Sequence, residues 1–262
     1  MQSGRNPTRR NRNIGTSKQG YGQDNLQRIA ESRSKHGPTP CYFERLESFD
    51  DVAITIGRCE IRLIVEHTRD DAVHAVTIDD LARVMGWLPS ADITGIGTLL
   101  LRQPKRREEM LRPVWGRVVF DGIMPNYRGP VLMLEAITLG SVWKWSHHLK
   151  PDDHRELQRY RDLGFDIRQT KRDFEIHPTL NAARAMQLHH TVPHEIGHWV
   201  QYRSLGPECF EQTPHQERED FAHRYADKFR NEARAIGHLP FERLISEARL
   251  NRHGLRSADF IL

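Results

Sequence analysis

The chain has 262 residues, 37% of them hydrophobic and 28% charged, and a formal net charge of +4. That length suffices for one large domain or two small ones. No run approaches 18 apolar residues and no N-terminal apolar segment is present, so a spanning helix and a secretory signal are not expected, and the chain reads as a cytoplasmic protein with no membrane partner. Cys41, Cys59 and Cys209 are too few and too scattered for a disulfide framework, and without a CxxC pair they suggest free thiols in a reducing compartment.

The charge is unevenly spread. Residues 1–40 carry eight Lys/Arg against Asp24 and Glu31, a net +6, so the other 222 residues sit near −2. Such a segment, rich in Arg, Asn, Ser, Gly and Gln, cannot bury enough apolar surface to offset its ordering entropy and reads as a disordered basic arm. Its charge permits electrostatic attachment to nucleic acid, although Tyr21 is its one aromatic residue and no stacking platform is present.

Beyond the arm, Val52 to Val65 reads as a strand pair around Gly57-Arg58. Thr77 is the expected N-cap of a short helix through Met85, stopped by Gly86. Strands are expected over 92–102, 116–121 and 130–137, the last two linked by the turn-rich stretch Ile123 to Arg128. The charged stretch Gln103 to Pro113 reads as a solvated helix or loop. From about residue 152 the pattern becomes helical, with a helix from His154 ended by Gly164 and another from Thr179 to His190. Pro193 then kinks that helix or opens a new one, which runs to about Ser204 and stops at Gly206-Pro207. A loop over 207–215 leads to a last long helix, Gln216 to Ile236. Strands first and helices after predict an α+β protein with helices packed on one face of a small mixed or antiparallel sheet. The corresponding organisation is a basic arm over 1–40, a strand-rich part over 41–150 and a helical part over 151–262, with 41–262 able to form one domain.

The helical part contains His194-Glu195-Ile196-Gly197-His198, an HExxH pattern. Residues i and i+4 share a helix face, so both imidazoles can grip one metal ion while Glu195 reaches a water beside it. A catalytic zinc takes three protein ligands and keeps one position open. In the following helix Phe221, Ala222, Tyr225, Ala226 and Phe229 form an apolar arc, and Glu219 lies at its edge beside two alanines that permit close helix approach. Glu217, His215 and His223 are the alternatives for the third ligand. HExxHxxGxxH is excluded, because no third histidine follows at that spacing.

HEIGH followed by Glu219-x-x-Ala222-x-x-Tyr225-Ala226 resembles the gluzincin pattern of zinc metallopeptidases. The spacing is similar to that of the anthrax lethal-factor type of catalytic domain and, more loosely, to the minimal repressor-cleaving peptidases of mobile elements (the ImmA/IrrE type). The resemblance covers roughly residues 190–230. It implies a zincin-like fold with Zn²⁺ at His194, His198 and Glu219 and with Glu195 as catalytic base, in an endopeptidase acting on a protein or peptide substrate. Tyr202 and Tyr225 are the candidate hydroxyls for stabilising the oxyanion, and each also suits plain core packing. His190 is expected to be structural because Pro193 interrupts its register. The adjacent His147 and His148 cannot face one ion, and Trp143 and Trp145 suit a substrate cleft or an ordinary apolar face. The 130–137 strand is the expected edge for an added peptide strand. Two other functions fit the same residues: a DNA-associated regulator whose arm binds nucleic acid, and a catalytically inactive zinc-binding protein.

Overall fold

The computed structural model describes residues 46–261 apart from 58, 112–113 and 139; the basic arm and Cys41 lie outside this range. The fold is α+β. Strands β1 (Phe49–Ile56) and β2 (Cys59–Glu66) form the expected hairpin, turning at Gly57, whose φ of +60° suits glycine. Short β3 (Ala72–Val73) follows, then a helix over Ile78–Trp87 and a single turn over Ser90–Ile93. Strands β4 (Thr98–Arg102), β5 (Gly116–Met124) and β6 (Tyr127–Glu135) complete a mixed five-stranded sheet in the order β1-β2-β4-β6-β5. Its centre is parallel (β2–β4–β6), and its two edge strands, β1 and β5, are antiparallel to their neighbours.

Every residue of Thr98–Arg102 is buried, as a central parallel strand covered on both faces requires. Alternation divides these side chains between two layers. Leu63, Leu99, Leu101, Leu132 and Leu134 face a large cluster that includes Leu188, Val192, Ile196 and Trp199 from the helical half and Phe260 from the last described turn. Ile64, Leu100, Val131 and Met133 face a smaller cluster with Phe49 and Val119 on the other side. Each fully buried aliphatic side chain contributes about 1.5–3 kcal/mol.

Several expectations shift. Thr77 caps its helix with a full capping box, but the helix runs through Gly86 to Trp87 and ends at Leu88; no residue there takes the left-handed conformation that would have made Gly86 a stop. Only 98–102 of the proposed 92–102 strand is extended, because Pro89-Ser90 opens a helical turn first. The β5–β6 turn contracts to Pro125-Asn126, with Asn126 at φ 57°. β6 is interior, paired to β4 and β5, so the 130–137 region has no free edge for a peptide; β5 does. A helix over Pro207–Gln212 occupies most of the expected 207–215 loop.

A second sheet has no counterpart among the expected elements. β7 (Ile137–Thr138) pairs β3, and β8 (Trp143–Ser146), β9 (Asp166–Gln169) and β10 (Asp173–His177) form an antiparallel sheet in the order β8-β10-β9. The helix Pro151–Asp162, ended at Gly164 as expected, covers it through Leu157, Tyr160 and Leu163. Among the described residues no helix is long and apolar enough to cross a membrane.

Candidate metal centre

Thr179 caps a helix over Leu180–Met186 that runs on without a break into a π turn, Gln187–Thr191, and then into the motif helix, Val192–Leu205. Pro193 accounts for the π turn. It has no N–H to offer the carbonyl four residues back, and the ladder widens just before it, with the Val192 N–H donating to the Gln187 carbonyl. The Thr191 hydroxyl donates to the Met186 carbonyl at 3.2 Å. Leu188, Val192, Ile196 and Trp199 then face the sheet, while the histidines face the long ligand helix His215–Ala235.

Close approach of the two helices rests on Gly197. A Cβ built there would stand 3.0 Å from Ala222 Cα and 3.0 Å from Tyr225 Cβ. Ala222 and Ala226 are fully buried at the crossing, and Glu219 lies one turn before Ala222, opposite the motif histidines. His194 Nε2 and His198 Nε2 are 3.2 Å apart. Glu219 Oε2 is 3.5 Å from the first, and Glu219 Oε1 is 3.5 Å from the second. A tetrahedral ion with bonds of 2.0–2.2 Å separates its ligand atoms by about 3.4 Å. The two imidazole nitrogens and the Glu219 carboxylate, which turns one oxygen to each ring, are therefore spaced to converge on one such ion, and this donor set suits zinc.

Glu195 lies near both imidazoles and reaches β5. Its Oε2 accepts the Val118 N–H at 2.8 Å. That N–H lies on the edge of β5 turned away from β6, so the carboxylate is tied to the free strand edge. Burial pushes the Glu195 carboxyl up, opposed by His194, His198 and the Val118 N–H. Glu219 has the opposite fate: burial acts to raise it, but the two imidazoles outweigh that and hold it well below the usual carboxylate range. The two carboxyls are thereby pushed in opposite directions, Glu195 up and Glu219 down.

The rivals fall into different places. Glu217 is exposed. His215, also exposed, lies 3.4 Å from Glu219 Oε1 and braces that carboxylate from within its own helix. The His223 ring lies tilted against that of His194, centroids 4.6 Å apart, and burial lowers it to about 4. His190, buried and held low chiefly by burial, joins His194 and His223 in a second group of potential ligands. The π turn, rather than breaking the register of His190 as expected, keeps its ring 5.4 Å from that of His194. This second group leaves out His198, whereas the group with Glu219 uses both motif histidines.

Neither candidate hydroxyl bonds to this cluster among the described residues. Tyr225 donates to Asp92 at 2.5 Å, and the Tyr202 ring stacks on Phe120 with centroids 4.1 Å apart. Trp143 and Trp145 pack near Tyr160 and, with Trp115, line a cavity of about 460 Å³ beside the start of β5. Trp115 and Asp92 carried no signal in the sequence, since each matters only through a distant partner. Cys59 and Cys209 are free. No family model, curated protein or solved structure matches this chain.

Proposed function

We propose that the chain is a zinc-dependent endopeptidase of zincin type, with His194, His198 and Glu219 as metal ligands and Glu195 as general base. The observation that carries this reading is the convergence, at 3.2–3.5 Å, of the two imidazole nitrogens and the two oxygens of the Glu219 carboxylate, with Glu195 beside them in the same helix. When bound, zinc supplies Lewis acidity for a coordinated water and for the scissile carbonyl. The chain's own residues supply the rest. Glu195, raised by burial and aimed by the Val118 N–H, takes a proton at its carboxylate and returns it to the leaving amine. The free edge of β5 offers backbone groups to an extended peptide, which would bring a scissile bond alongside Glu195. Glu219 stays charged and so remains a ligand across the neutral range.

The test pairs metal analysis with digestion of a mixed peptide library by the wild type and by Glu195→Gln. The expected result is equal zinc in both proteins and cleavage only by the wild type. Undiminished cleavage by Glu195→Gln would refute the role of the base. Unchanged zinc content and affinity in His194→Ala/His198→Ala would refute the site itself. Zinc retained by an inert wild type would favour the non-catalytic alternative.

A further inference from the structure

At the opposite edge of the main sheet, β1 and β2 hold a second group of metal-ligating atoms. Asp50 lies on β1, His67 directly follows β2, and Asp259 comes from the turn Ser257–Asp259 near the end of the described chain. One ligand atom from each lies within 4.8 Å of the other two, and His67 Nε2 is 3.3 Å from Asp50 Oδ1. We infer that Asp50, His67 and Asp259 form a second metal site, taking a divalent ion of intermediate hardness, Zn²⁺ or Mn²⁺.

Two observations beyond the proximity of the acids support this. Asp259 is fully buried, yet only half satisfied. Its Oδ1 accepts from the Thr68 N–H and hydroxyl at 2.9 and 3.1 Å, while Oδ2 has no hydrogen-bond donor, Arg256 Nε standing 3.9 Å away. An uncompensated buried carboxylate oxygen is costly unless a cation meets it. Asp50 Oδ2 is likewise buried without a hydrogen-bond donor. The second observation is the support behind the imidazole. The Ser48 hydroxyl lies 2.9 Å from His67 Nδ1, and the Ser48 carbonyl accepts the His67 N–H at 2.8 Å. With the Nδ1 proton donated to Ser48, the Nε2 lone pair faces the carboxylates, as in histidine–metal sites with a second tier of hydrogen bonds.

One imidazole with two carboxylates mixes the donors preferred by zinc with those preferred by manganese, which excludes a soft ion. The side chains of His67 and Asp50 are 21% and 25% exposed, so an ion has a route in from solvent. Four strand spacings, about 19 Å, separate β1 from β5. The two sites share no residue, so a change in one removes no ligand of the other. Occupied, it clasps the last turn of the described chain to the first hairpin.

The experiment uses the full chain, stripped with chelator and titrated calorimetrically with Zn²⁺ and separately with Mn²⁺. The proteins are the wild type, His194→Ala/His198→Ala, and that double variant with His67→Gln or Ser48→Ala added. The double variant should still bind one ion and melt at higher temperature with it. His67→Gln should remove that ion, and Ser48→Ala should weaken it about tenfold. A double variant that binds neither ion at millimolar concentration overturns the proposal while leaving the motif site intact. So does binding that His67→Gln does not alter. Motif variants that bind as the wild type does would instead count against the motif site alone.

Discussion

Gly197→Ala separates packing from metal binding. The added methyl would stand 3.0 Å from Ala222 Cα and Tyr225 Cβ, whereas ordinary contacts lie at 3.4–4 Å. Neither neighbour is the end of a flexible side chain, so the ligand helix itself must retreat by roughly half an ångström. Overpacking of this kind costs about 1–3 kcal/mol, while replacing a helical glycine returns about 1 kcal/mol. The net loss of stability is therefore about 0–2 kcal/mol. The metal centre is less forgiving. The 3.5 Å gaps between Glu219 and the two imidazoles would grow to about 4 Å, beyond the roughly 0.2 Å latitude of a zinc bond. Zinc affinity should drop tenfold or more in a protein whose melting temperature moves only a few degrees. A competition titration against a chromophoric chelator, with calorimetry on the same samples, reads both quantities. Gly86→Ala is the control: nothing stands within 4 Å of its added methyl, so it should gain about 0.5–1 kcal/mol and bind zinc as before. If Gly197→Ala binds zinc with wild-type affinity, the helix crossing does not set the ligand geometry.

Three further outcomes follow from other contacts. Asp80 is fully buried and accepts from Arg184 Nε and Nη2 at 2.9 Å each and from the Leu244 N–H at 3.0 Å; Asp80→Ala strands that guanidinium and should cost about 3–5 kcal/mol, roughly 10 °C in melting temperature. Tyr225→Phe removes the bond to Asp92 and should lower stability by about 1.5–3 kcal/mol while leaving kcat within threefold; a loss of a hundredfold or more would make that hydroxyl the oxyanion donor. His189 is buried and lowered from 6.5 to about 4, first by burial and then by Arg184, Arg234 and Arg230. The unfolded chain therefore binds the proton first on acidification. The stability present above pH 6.5 is lost as pH falls toward 4, by on the order of 3 kcal/mol at most. His189→Leu should flatten that part of the melting profile, and an unchanged slope would refute the assignment.

The motif and Glu219 were legible because both obey helical spacing, a local property that survives in a linear string. So were the strands at TLLLR and VLMLE, whose unbroken apolar runs marked extended chain, although their burial between two apolar layers emerged only in the fold. The sheet β8-β10-β9 was not. WKWS, DIRQ and DFEIH are four or five residues each and rich in polar residues, and the pairing of the first with the last joins segments some 30 residues apart. The π turn was half legible: Pro193 announced a disturbance, but widening the ladder and breaking it look the same in sequence. His67 and Asp259 were invisible as partners, since 192 positions separate them and only the folded sheet edge brings them together.

The π turn also distinguishes two kinds of change the chain can undergo. A substitution within Gln187–Thr191 alters one side chain. Removing a single residue there would restore a regular turn with both flanks close to their present register, because the widened turn is what absorbs the extra residue. The same deletion in the regular helix between the π turn and His194 would rotate the N-terminal side by about 100° and swing Gln187, whose side-chain amide donates to the Trp115 and Glu135 carbonyls at 3.1 and 2.7 Å, away from the start of β5. The π turn is therefore where this helix can change length without moving its two motif histidines.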